Sequence, residues 1–64
     1  MTLPRFFAPA IDGEFVELSP EEAHHLTHVL RLGEGDEIAV FDGRGAERRA
    51  RVESAGRRGA RVRL

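Results

Sequence analysis

Three histidines fall within five positions, His24, His25 and His28 of "EEAHHLTHVLR", and Arg31 closes the stretch. Imidazoles at this spacing can hold a metal ion, move protons or donate to phosphate. They can also be the polar side of an ordinary helix. His24 and His28, at i and i+4, suit a single ion. The zinc-protease pattern, however, puts a glutamate directly after the first histidine, where this chain has His25. The chain has no cysteine, so a third ligand would have to be a carboxylate, and Arg31 on the same stripe would repel a cation. Nucleophilic chemistry fares no better. The hydroxyl side chains are Thr2, Ser19, Thr27 and Ser54, and none has a base in a recognisable nucleophile setting. "GEGDE" and "DGRG" match neither a phosphate-cradling loop nor a dinucleotide fingerprint. No catalytic, metal or cofactor site is therefore expected within these residues.

The element that must position the histidines is well marked. Ser19 is a good N-cap. Pro20 follows at the first helical position, and Glu22 completes a capping box with Ser19. Glu21 and Glu22 suit the positive end of the helix dipole, and Gly33 is the expected stop, with Arg31 in the last turn. The spacing predicts a helix over residues 20–31. At 100° per residue, Ala23, Leu26, Val29 and Leu30 form the core stripe, and His24, His28 and Arg31 the opposite side. His25 lies on the flank beside Val29 and Leu32, either as a half-buried histidine bonded to a backbone carbonyl or as a binding residue.

The remaining sequence reads as strands. "LPRFFA" (Leu3–Ala8) is a short one. Phe15–Leu18 follows the Asp12-Gly13 turn. "DEIAVFDGRG" puts Ile38 and Val40 on one face and turns at Asp42-Gly43. "AERRARVE" and "ARVRL" alternate alanine, valine and leucine with arginine. Phe6, Phe7 and Phe41 are expected in the core. Short strands with evenly spaced turn signals predict a mainly β fold, a small barrel or rolled sheet with one short helix over an end.

Sixty-four residues make one small domain, which buries only roughly 60% of its unfolded surface. The lack of cysteine fits a reducing compartment. No apolar run approaches the ~20 residues of a membrane span, and no signal-peptide pattern opens the chain; a cytoplasmic protein with no membrane partner is the expectation. Net charge is −1, but it is split along the chain: residues 1–43 carry two arginines and nine acids, residues 44–64 eight arginines and two acids. A basic C-terminal third suits an anionic partner. If 48–54 and 60–64 pair as a hairpin centred near Arg57, Arg51 lies opposite Arg63, Arg49 shares their face, and Arg57 and Arg58 project from the turn. Such a ribbon can track phosphates. With four phenylalanines, mostly needed for packing, it suits folded RNA read by shape and backbone better than single-strand stacking.

"RFF" (Arg5–Phe7), "HHLTHVLRLGEGDEIAVFDGRG" and the closing "ARVE…ARVRL" resemble the N-terminal domain of the RsmE family, the bacterial ribosomal RNA small subunit methyltransferases E. The resemblance covers essentially all of the chain. It implies a PUA-like β-barrel spanning residues 1–64 that helps bind RNA. It also implies a catalytic SPOUT-type domain, absent from these residues, that binds S-adenosylmethionine, forms a homodimer and makes N3-methyluridine in small-subunit ribosomal RNA. Arg5 matches the arginine of the family's opening strand, His25 the helix histidine, Arg31 the arginine of "VLR", and Phe41-Asp42-Gly43 the turn. His28 departs from the pattern, since family members often carry arginine there. The expected RNA-binding set is Arg5, His25, His28, Arg31, Arg44, Arg49, Arg51, Arg61 and Arg63. The expected partner is ribosomal RNA within the small subunit. The alternative is a docking domain that orients the catalytic domain or contacts the other subunit, with the arginines pairing acids there.

Overall fold

A computed structural model describes residues 3–64. The elements are β1 (Arg5–Phe7), β2 (Phe15–Leu18), α1 (Pro20–His24) continuing into a π-helical turn (His25–Val29), β3 (Glu37–Phe41), β4 (Glu47–Gly56) and β5 (Gly59–Arg63). All five strands form one sheet in the order β1-β3-β4-β5-β2. β1 runs parallel to β3, and the other neighbours are antiparallel.

Alternation at period two decides which face is buried. Phe6, Val16, Leu18, Ile38, Val40, Ala50, Val52, Ala60 and Val62 all enter a single core, joined by Ala8, Ala23 and Leu26. Residues from both edge strands share that core with the central ones, so the sheet is rolled on itself. β1 and β2 are not paired with each other. The helix packs against β5, β4 and β2, and from it the Glu22 carboxylate accepts the Phe7 N–H of β1 at 2.6 Å. An edge-strand donor is thereby satisfied across the open seam.

That contact corrects one expectation. The Ser19 hydroxyl does accept the Glu22 N–H, at 3.2 Å, but the Glu22 carboxylate serves β1 instead of closing the capping box. Ser19→Ala removes the cap and should cost about 1 kcal/mol, read as a lower urea midpoint.

The helix itself departs from a uniform α-helix over 20–31. The Thr27 hydroxyl donates to the Ala23 carbonyl at 2.9 Å, the acceptor that the Thr27 N–H would take in an α-helix. The next turn widens. The Leu30 N–H bonds the His25 carbonyl at 3.0 Å, and the Leu32 N–H reaches back to Leu26 at 2.9 Å. This last bond spans one residue more than the usual C-terminal closure. The wider turn breaks the 100° phase. Ala23 and Leu26 are buried as expected, but Val29 is 61% exposed and Leu30 40% exposed, so neither belongs to the core.

The stop falls at Arg31, which takes φ +55°, and not at Gly33. The Gly33 N–H instead donates to the Asp36 carboxylate at 2.8 Å. A side chain in the left-handed region costs roughly 1–2 kcal/mol. Arg31→Gly should therefore raise the melting temperature, by up to about 1 kcal/mol in stability once the added freedom of the unfolded chain is set against it.

Two phenylalanine expectations also change. Phe6 is in the core, whereas Phe7 points outward and is 43% exposed. It meets the half-buried Phe41 edge-on, ring centroids 5.8 Å apart, because both occupy the outward set of the β1–β3 register.

Candidate nucleic-acid interface

The outward face of the sheet carries Arg5, Arg49, Arg51, Arg61 and Arg63. Strand register sets their neighbours. Arg5, Ala39 and Arg49 form one row across β1, β3 and β4, and Glu37, Arg51, Arg63 and Phe15 form another across β3, β4, β5 and β2. A hairpin is present and Arg51 faces Arg63 as expected, but the turn is centred between Arg57 and Arg58 and not on Arg57, since Gly56 faces Gly59. A register shift between Val52 and Ser54 accommodates one extra residue in β4, a bulge that strengthens the local twist.

The face is not a bare cationic stripe. Arg5 pairs with Glu47 at 2.9 Å, Arg49 with Glu37 at 3.7 Å and Arg61 with Glu17 at 3.4 Å. Arg5 also lies over the Phe41 ring, 4.7 Å from its centroid, and Arg61 over Phe15 at 4.3 Å. All three pairs are solvent-exposed, and such pairs are worth ~0–1 kcal/mol each. They hold the guanidiniums in place yet can be exchanged for phosphate contacts. Arg51 is held differently, donating to the Gly35 carbonyl at 2.8 Å. Arg44 is anchored on the Pro9 carbonyl at 2.9 Å. Among the described residues, Arg31, Arg48, Arg57, Arg58 and Arg63 have no acid within ion-pair distance.

The histidines separate into two environments. His25 is exposed and sets its ring edge-on to Phe6, centroids 5.8 Å apart. It makes no side-chain hydrogen bond among the described residues, so the half-buried, carbonyl-bonded reading is not what the structure shows. His24 and His28 stack on each other at 4.6 Å with 24° between their planes. They line a groove of about 400 Å³ together with Pro20, Thr27, Ala55, Gly56 and Arg57. Sequence reasoning placed His24 and His28 on one side of the helix and Arg57 at the hairpin tip. It could not bring the two elements together, because nothing in the spacing records how the helix packs on β4 and β5. Among the described residues there is no group of three or more metal-ligating side chains close enough to hold an ion.

At the other end of the sheet the β3–β4 connection is built by Asp42. Its carboxylate accepts the N–H groups of Arg44 at 2.7 Å and Ala46 at 3.1 Å. The Arg44 N–H chiefly, helped by the Ala46 N–H and the Arg44 charge, holds the carboxyl below its usual range despite partial desolvation. A depressed folded-state pKa stabilises the fold above the unfolded value of about 4 and loses that contribution as pH falls through the folded value. Asp42→Asn keeps an acceptor and removes the charge. Its urea midpoint should lie below the parent's at pH 7 and converge on it in acid. A constant gap down to pH 2 would show that the charge is irrelevant to the turn.

A small, mainly β rolled sheet with one covering helix and an arginine-bearing outer face defines a PUA-like domain. The family described as RNA methyltransferase PUA domain matches residues 18–64, and this chain belongs to it. Three solved structures are similar over nearly all of its length. The ribosomal RNA small subunit methyltransferase E of Neisseria gonorrhoeae, bound to S-adenosylmethionine, is 30% identical with a TM-score of 0.83, over 95% of this chain and 26% of its own. A methyltransferase from Legionella pneumophila, also with bound S-adenosylmethionine, is 31% identical with a TM-score of 0.85, over 98% and 27%. A probable rRNA methyltransferase from Porphyromonas gingivalis is 40% identical with a TM-score of 0.80, over 94% and 25%. The chain thus spans about a quarter of the length of these relatives, and the resemblance to RsmE-type enzymes holds at the level of this domain.

Proposed function

We propose that this chain is the RNA-engaging domain of an S-adenosylmethionine-dependent methyltransferase that modifies N3 of a uridine in small-subunit ribosomal RNA. S-adenosylmethionine supplies the methyl group and is held by a catalytic domain outside these residues, which also forms a homodimer in the cytoplasm. The domain contributes positioning. The observation that carries this reading is the β4–β5 hairpin, which bears Arg51 opposite Arg63 along its length and Arg57 and Arg58 at its turn, none with a carboxylate within ion-pair distance among the described residues. The Arg5, Arg49 and Arg61 pairs border it. Few exposed aromatics accompany these cations, so backbone contacts to a folded RNA fit better than base-by-base reading.

The test is binding of the chain to a structured small-subunit rRNA fragment over a range of salt. Affinity should fall linearly on a log–log scale, by about 0.7–0.9 per phosphate engaged. Binding without salt dependence would sink the electrostatic account.

A docking role has one observation in its favour. Three of the arginines already satisfy carboxylates within the domain, and acids of a catalytic domain or partner subunit could be met in the same way. Substituting Arg49, Arg51, Arg61 and Arg63 in turn separates the readings. Lower RNA affinity supports the first, and impaired assembly with intact RNA affinity supports the second.

A further inference from the structure

The groove between the helix and the β4–β5 hairpin has a composition unlike the rest of the surface. Among the described residues its ionisable lining consists of His24 and His28 from the helix and Arg57 from the hairpin, with no carboxylate. The acids of the packed elements are engaged elsewhere or do not line it: Glu22 holds the Phe7 N–H, Glu17 pairs with Arg61, and Glu21 and Glu53 are absent from the lining. Arg61 and Arg63 of β5 are likewise absent from it, on the outward face beside Phe15. His24, His28 and Arg57 make no side-chain hydrogen bond or ion pair among the described residues, so their donors are available. The hairpin wall is low. Ala55 has a minimal side chain, and a Cβ added at Gly56 would meet nothing within 4 Å.

A cation is a poor occupant. The two imidazoles stack face to face at 4.6 Å, no third ligating side chain joins them among the described residues, and Arg57 adds a fixed positive charge. An anion matches every group present: two imidazoles that can each donate, more strongly when protonated, and a guanidinium suited to phosphate oxygens. The volume, about 400 Å³, is within the ~300–1,000 Å³ of typical small-ligand sites.

Resting on the RNA-binding reading above, we propose that this groove seats one phosphodiester of the RNA backbone, held by His24, His28 and Arg57. The two imidazoles supply N–H donors and Arg57 a fixed charge, and the pH profile of binding reports on the imidazoles. Placement of this phosphate fixes where the RNA crosses from the helix to the arginine face of the hairpin.

The test has two arms. In the first, binding of the 64-residue chain to a structured small-subunit rRNA fragment is measured between pH 5.5 and 8 and over a salt series. Arg57→Gln should weaken binding several-fold and lower the salt slope by about 1. The double variant His24→Gln/His28→Gln should flatten the pH dependence. His28→Arg should tighten binding at pH 8 more than at pH 5.5. In the second arm, the ring resonances of His24 and His28 are followed by NMR during titration with inorganic phosphate, and should shift together in the parent and much less in Arg57→Gln. RNA binding that none of these variants alters, in affinity, salt slope or pH profile, would overturn the groove site while leaving the RNA-binding reading intact. Phosphate shifts without any RNA binding would do the reverse, supporting an anion site and removing the RNA as its ligand. Ring resonances that respond to zinc and not to phosphate would also overturn the proposal.

Discussion

Gly59→Ala is expected to be the most damaging single substitution in this domain. Gly59 opens β5 directly after the Arg57-Arg58 turn and adopts φ +145°. Neither Arg57 nor Arg58 takes a positive φ, so the turn lacks the doubly left-handed geometry that best matches the twist of paired strands. The mismatch is absorbed at Gly59. A Cβ there would lie 2.6 Å from the Leu18 carbonyl oxygen, a backbone atom fixed in β2 beside β5. Backbone strain and the clash together should cost about 3 kcal/mol. At ~0.05–0.15 kcal/mol per residue, a domain of this length has only about 3–10 kcal/mol in total. The alanine variant should therefore be largely or partly unfolded at 37 °C, read by urea titration and by dispersion of its NMR spectrum. Gly56→Ala, on the facing strand with open space around it, should stay within about 0.5 kcal/mol of the parent. Equal losses in the two variants would show that chain entropy, and not the approach to Leu18, governs the hairpin.

The second large effect is on RNA affinity. Arg51 and Arg63 face each other across β4 and β5. Like charges directly opposite on a sheet are destabilising, and the Arg51 bond to the Gly35 carbonyl only orients one of them. Replacing both by glutamine removes two cations from the centre of the outward face. With about 0.9 counterions released per phosphate, two lost contacts amount to roughly 30-fold in affinity at 0.15 M salt and lower the salt slope by about 2. Stability should move the other way or not at all, since the repulsion is relieved. Weaker RNA binding with an unchanged or raised melting temperature is the signature of a binding surface. Weaker assembly, lower melting temperature and intact RNA affinity would instead assign the pair to docking.

Much of the fold could be read from local pattern. The alternation in "ARVRL" and "AERRARVE" set which residues are buried in β4 and β5, whereas the observed pairing of Arg51 with Arg63 also depends on the bulge between Val52 and Ser54. Ser19 and Pro20 marked the helix start for local steric and hydrogen-bonding reasons. The helix end could not be read. A threonine hydroxyl competes for one carbonyl where the turn widens from α to π, and the phase argument, still good for Leu26 and His28, then failed at Val29 and Leu30, which are exposed. Phe7 was misplaced because adjacent aromatics in a strand face opposite ways, and the pattern of so short a strand cannot say which faces in.

Local pattern was enough to specify a mainly β domain with one capped helix and a basic C-terminal third, together with the motifs that resemble RsmE-type methyltransferases. Period-two alternation, turn chemistry and caps are properties of neighbouring residues. Packing in three dimensions sets which arginines are neutralised by Glu17, Glu37 and Glu47, and brings His24 and His28 into a groove with Arg57. Those relations join residues 12 to 44 positions apart in the chain, through strand register and helix packing, and both depend on how the rolled sheet closes around its core.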